Sequence, residues 1–144
     1  MDGQETAPLR ELYQRLNRDQ FDGWLPEIPL RLSRRMTRTL GTVRYGGGGV
    51  AASGGPGGRA RREARAHGKA PNGRTVTEIA ISADLLRPSN RSLLEDTMLH
   101  EMAHAEAWLR HGHRGHGRAW KAIARRVGCR PRAVNDVRVA GRRR

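Results

Sequence analysis

Ser92-Leu93-Leu94-Glu95-Asp96-Thr97-Met98-Leu99-His100-Glu101-Met102-Ala103-His104-Ala105-Glu106-Ala107-Trp108-Leu109-Arg110 is the stretch on which the fold turns. Ser92 and Glu95 have the spacing of a capping box, in which hydroxyl and carboxylate satisfy free amides at a helix start. Leu94, Met98, Met102, Ala105 and Leu109 then recur at helical steps, so that face is core and the helix is expected to run to about Arg110. His100, Glu101 and His104 lie on or beside another face. Two histidines four apart on a helix stand one turn above each other and can bind one Zn²⁺ through neutral imidazoles. Glu101, one step round, borders that ion without being consumed as a ligand. There it can take a proton from a zinc-bound water and hand it to a leaving amine, the general acid/base role that peptide hydrolysis needs.

A catalytic zinc needs a third protein ligand. The pattern HExxHxxGxxH fails, because Ala107 stands three residues after His104 and Arg110 six after it. A Glu ligand fails too, since no Glu follows Glu106 and the one later acid is Asp136. His111, His113 and His116 remain. On a continued helix His111 would lie about 10 Å beyond His104 at 1.5 Å per residue, too far to share the ion. His116, in Gly115-His116-Gly117 at the entrance to a final helix, is flanked by glycines that let the backbone reverse. It is the first choice and His113 the reserve.

Working outward, Leu9, Leu12, Tyr13 and Leu16 form the stripe of an amphipathic helix over Ala7–Phe21, which Gly23 and Pro26 end. Two short strands are expected within Ile28–Ser33 and Thr39–Tyr45, and a third, β-branched one at Thr75–Ser82 with Thr77, Ile79 and Ile81 on one side and Glu78 on the other. The last helix, from Gly117 to Val127, should bury Trp120, Ile123, Ala124 and Val127, with Gly128 as its cap. Residues 46–74 form a flexible Gly/Arg-rich loop in this reading: eight of the thirteen residues from Gly46 to Gly58 are glycine, a basic run follows, and no phosphate-loop motif is present. Residues 129–144 read as a loose basic tail. The expectation is a single α+β domain over 1–144: N-terminal helix, small three-stranded sheet, HExxH helix and C-terminal helix.

The chain has 144 residues, which excludes large enzymes and tandem modules, and its formal net charge is +14. Twelve basic residues and one acid lie from Arg110 to Arg144, the pattern of a surface that meets polyanions such as DNA. Twenty-six of the 28 basic residues are arginine, a bias that a GC-rich genome also produces, so charge alone leaves both explanations standing. No apolar run reaches the roughly 18 residues of a membrane helix and the N-terminus lacks a signal pattern, so a cytoplasmic protein without membrane contact is expected. Cys129 is the one cysteine, so no internal disulfide or zinc ribbon forms and any metal must rest on His and carboxylate; Cys129 reads as an incidental thiol.

His100-Glu101-Met102-Ala103-His104, Gly115-His116-Gly117 and Trp120 resemble the SprT-like family of zinc metalloprotease domains, which includes the Spartan proteases acting on proteins crosslinked to DNA. The resemblance extends to Phe21-Asp22-Gly23-Trp24-Leu25-Pro26, Leu32-Ser33-Arg34-Arg35-Met36 and Ile79-Ala80-Ile81-Ser82, covering most of Leu9 to Gly128. It implies a zincin-like fold, Zn²⁺ on His100, His104 and His116, and Glu101 as the catalytic carboxylate. Arg118 stands where the family often has Pro, and the four-Cys ribbon of many members is absent, so DNA contact rests on the basic tail and loop. Two functions follow. One is a zinc metallopeptidase, with an edge strand near Thr77–Ile81 pairing an extended protein or peptide substrate and the basic C-terminal segment reaching DNA. The other is a non-catalytic nucleic-acid-binding module whose zinc holds two helices together. The oligomeric state is left open.

Overall fold

A computed structural model of the chain describes residues 2–47 and 73–129. Helix α1 spans Asp2–Gln20, and Leu9, Leu12, Tyr13 and Leu16 are all buried, as their spacing requires. The helix stops at Asp22 and Gly23, with φ of 55° and 69°, where Gly23 N–H donates to the Asn17 carbonyl at 2.8 Å. The turn is locked by Asn17, whose amide exchanges two hydrogen bonds with the Leu25 backbone, and by the Tyr13 hydroxyl, which donates to the Pro26 carbonyl at 2.6 Å.

Strands β1 (Leu30–Ser33), β2 (Gly41–Gly46) and β3 (Thr75–Ser82) form one sheet in the order β1-β3-β2, with β1 parallel and β2 antiparallel to β3. Thr75–Ser82 is therefore the central strand, which corrects the expectation that it offers a free edge; the edges are β1 and β2. The reason is legible in the burial: Ile79, Ala80 and Ile81 are each 0% exposed, so both faces of the strand are covered. A second correction concerns Thr77. Arg44 pairs with Glu78 but Tyr45 with Val76, so Thr77 is an extra residue, a β-bulge. The bulge turns Thr77 to solvent and places buried Val76 on the side of Ile79 and Ile81. Thr77 Oγ1 donates to the Arg44 carbonyl at 3.2 Å, closing the bulge.

Two 3₁₀ turns, Ala83–Leu86 and Pro88–Asn90, lead into helix α2 (Arg91–His111). Its N-cap position is Asn90, whose side chain donates to the Asp84 carbonyl, so Ser92 and Glu95 do not form the expected capping box. Pro88 opens the preceding turn and winds the chain before Ser92 is reached. Glu95 instead meets Arg15 of α1 at 3.2 Å. The core stripe is also wider than the periodicity implied: from Leu93 to Leu109 almost every residue is buried, because the sheet packs on one side of α2 and helix α3 (Arg118–Val127) on another. Helix α3 buries Trp120, Ile123, Ala124 and Val127 and ends at Gly128, whose φ is 82°, as expected.

The described residues are thus mixed α+β, with three α-helices and a three-stranded sheet. Most of the Gly/Arg-rich segment at 46–74 and of the basic tail at 129–144 lies outside the described residues. No described helix is long and apolar enough to cross a membrane.

Candidate metal centre

Helix α2 puts His100 and His104 one turn apart, with Glu101 beside them. The helix then ends at Gly112, φ 69°, and the chain reverses through Gly115, φ 80°, to present His116 just before α3. Of the two glycines around His116, Gly115 needs the left-handed backbone; Gly117 is extended and caps α3. The reversal brings His116 Nε2 to 3.1 Å from His100 Nε2 and 3.0 Å from His104 Nε2. A neutral imidazole offers either one proton or one lone pair at Nε2, so one nitrogen facing two others is not a satisfied hydrogen-bond network. It is the arrangement of three donors around a cation: nitrogens about 2.0–2.1 Å from a tetrahedral ion lie about 3.3 Å apart. The donor set therefore fits a metal ion. His111 and His113 are exposed and point to each other, 6.3 Å between ring centres, so His113 is set aside as the third donor.

The imidazoles are kept neutral. Burial, then the neighbouring His116, lowers His100 to about 4; burial, then His100 and His116, lowers His104 to about 3. His116 is lowered by burial and by Lys121. Neutral rings are the form that ligates. His104 is the innermost, 6% exposed, and its Nδ1 has no hydrogen-bond partner among the described residues. Packing sets its orientation instead. The Trp120 ring stacks on His104 at 5.3 Å and 26°, lies 4.7 Å from both His100 and His116, and donates from Nε1 to the His100 carbonyl at 3.2 Å. Trp120, which periodicity marks as core, is also the floor of the histidine cluster.

Helix α3 is clamped to α2 by a second device. Glu106 is buried, and Arg126 grips both its oxygens in a fork while Arg110 approaches at 3.2 Å. The clamp lies one turn from Ile123 and nearly two from Trp120, and it fixes the helix that carries the cluster's floor.

Glu101 is 6% exposed, and burial raises its carboxyl to about 8. It faces Gly41 of β2: a Cβ there would lie 2.9 Å from Glu101 Oε2 and 3.0 Å from its Cγ. Sequence reasoning passed over Gly41. A glycine between apolar and β-branched residues in a strand marks close backbone approach and was the available signal. Further along the same face of β2, Tyr45 and Trp108 meet edge to face at 5.4 Å, and Trp108 Nε1 donates to the Thr75 carbonyl at 2.8 Å. Burial and the charge of Glu101 push the Tyr45 hydroxyl up to about 12. Cys129 is buried and its thiol is likewise pushed up to about 12, which makes it a poor nucleophile despite the arginines beside it in sequence.

The SprT-like family model matches residues 9–139, nearly the whole chain. The chain belongs to the SprT-like family. Among curated proteins, this SprT-like chain is similar to the germ cell nuclear acidic protein of Drosophila melanogaster, 41% identical over 49 residues. That match covers 34% of the chain and 5% of the relative's length.

Proposed function

We propose that the chain is a zinc-dependent metallopeptidase of zincin-like architecture, with His100, His104 and His116 as metal ligands and Glu101 as its acid/base. The observation that carries this reading is the convergence of three imidazole nitrogens, within 4.8 Å of one another, beside a buried carboxyl on the same helix. Zn²⁺ bound there supplies Lewis-acid activation of water and of a scissile carbonyl.

The chain's own residues do the rest. The outer edge of β2 pairs with no strand among the described residues, so its backbone groups can add an extended substrate strand, with the scissile bond carried past Glu101. This moves the substrate-pairing role from Thr77–Ile81 to Gly41–Gly46. The Glu101 carboxylate accepts a proton from the attacking water and returns it to the leaving amine nitrogen. A buried carboxyl with a raised pKa is suited to both transfers near neutral pH, and the absence of a side chain at Gly41 leaves it room to reach them. The basic residues from Arg110 to the C-terminus are the proposed contact with DNA and with DNA-associated protein substrates, on the strength of their charge.

The test is metal content and peptide or autocleavage for three proteins, with and without DNA at two salt concentrations. Glu101→Gln is expected to keep one zinc per chain and lose cleavage; His116→Ala is expected to lose the zinc. Full zinc stoichiometry in His116→Ala overturns the ligand set. Unchanged function in Glu101→Gln favours a structural zinc in a nucleic-acid-binding module.

A further inference from the structure

The loop between α2 and α3 carries a cation that the three-imidazole cluster does not use. Arg114 is exposed, and its guanidinium carbon lies 5.1 Å from the ring centre of Tyr45 and 4.8 Å from that of Trp108. It makes no ion pair or hydrogen bond with any described residue. The neighbouring Arg74 differs: its Nε donates to the Trp108 carbonyl at 2.7 Å and Nη2 to the Leu109 carbonyl at 3.4 Å, so it serves the end of α2. Arg114 is thus a charge held on two aromatic faces, with its N–H edges unspent. Stacking leaves those donors in the ring plane free for a carboxylate and reduces the freedom lost when one binds.

Its position relates it to Glu101 and the histidine cluster. Trp108 lies one turn beyond His104 on α2, about 6 Å along the axis, and Tyr45 lies four residues beyond Gly41 on β2, about 13 Å along the strand. Arg114 therefore stands on the face of β2 that packs against α2, beyond Glu101 along both elements. A substrate strand advances about 3.4 Å per residue, so a side chain two to four residues from the scissile bond reaches it. We propose that Arg114, seated on Tyr45 and Trp108, forms a subsite for an acidic side chain of the peptide substrate at that distance from the bond that is cut. This rests on the peptidase reading, and binding is measured apart from cleavage so that the two can fail separately.

The experiment uses the zinc-loaded full chain carrying Glu101→Gln, and fluorescein-labelled octapeptides with Glu or Gln at each position in turn, followed by anisotropy. One register is expected to bind the Glu peptide roughly five- to tenfold better than the Gln peptide, the scale of an exposed charge-assisted hydrogen bond. Arg114→Ala should erase that preference, Arg114→Glu should transfer it to a Lys peptide, and Arg114→Lys should keep part of it. Absence of any register preference, no peptide binding, or a preference that survives Arg114→Ala overturns the proposal. So does a loss of affinity in Arg114→Glu confined to a 20-base-pair DNA duplex, which would assign the cation to phosphate. If the Arg114-dependent preference holds and zinc-loaded wild type cuts none of the peptides, the subsite stands and the peptidase reading falls. If the peptides are cut with no dependence on Arg114, the subsite falls alone.

Discussion

Stripping metal with a chelator and following thermal stability against pH separates the part played by Glu101 from that of the imidazoles around it. Burial lowers His100 to about 4 and His104 to about 3 from 6.5, and lowers His116 as well. Below 6.5 the unfolded chain binds protons on these rings that the folded chain refuses, so their effect is to make stability rise with pH up to that point. Glu101 works in the opposite sense. Burial raises it from 4.5 to about 8, so across that interval the folded chain keeps a proton that the unfolded chain has lost, and stability falls as pH rises. Up to pH 6.5 three imidazoles oppose one carboxyl and the net slope is upward. Above that pH the unfolded rings lose their last protons and Glu101 prevails, with a slope of at most about 1.4 kcal/mol per pH unit that shrinks toward pH 8. Chelated wild type should therefore be most stable between about pH 6.5 and 7 and lose somewhat under about 1 kcal/mol by pH 8, a fall in Tm of roughly 2–3 °C for a domain of this size. Scanning fluorimetry from pH 5 to 8 should show the peak in chelated wild type and a flat alkaline side in Glu101→Gln. Restored Zn²⁺ should flatten that side too, since a nearby cation favours the carboxylate. A Tm that is level or climbing from pH 7 to 8 in chelated wild type, or an alkaline fall of the same size in Glu101→Gln, refutes the reasoning.

Gly41→Ala adds a methyl 2.9 Å from Glu101 Oε2 and 3.2 Å from the Ala80 carbonyl, and the backbone there does not require glycine. The carboxyl must give way, so kcat should drop about 10- to 100-fold while zinc stoichiometry by mass spectrometry stays at that of wild type. Arg126→Met removes the fork that holds buried Glu106 and leaves it with Arg110; urea titration should show a loss of about 1–3 kcal/mol.

The features that could be read from the sequence are those that one helix or one turn defines by itself. His100, Glu101 and His104 are set by the pitch of α2, and His116 was preferred to the reserve His113 because its flanking glycines let the backbone reverse; Gly115 at φ 80° performs that reversal. Helix α3 was predicted correctly down to its four buried residues and its glycine cap because an isolated surface helix buries one clear face. The errors arise where a partner element decides. Whether Thr75–Ser82 is central or at an edge depends on β1, far away in sequence, and the side taken by Thr77 depends on a bulge set by pairing with β2. The capping box failed because Pro88 had already started the turn.

The same distinction separates the histidine cluster from what holds it in place. Spacing and the flanking glycines point to three nitrogens, but at 3.0 and 3.1 Å one Nε2 facing two others cannot give each a full hydrogen bond, so other groups must help hold them together in the folded chain. Those groups are non-local. Trp120 stacks on His104 and hydrogen-bonds the His100 carbonyl from α3, while the Glu106–Arg126 fork presses the same helix onto α2. The buried acid depends on another distant residue, Gly41, whose missing side chain is a condition for Glu101 to sit where it does. The cluster is therefore preorganised by groups that ligate nothing, and rigid support of this kind is what keeps a metal site's geometry within the tolerance its chemistry allows.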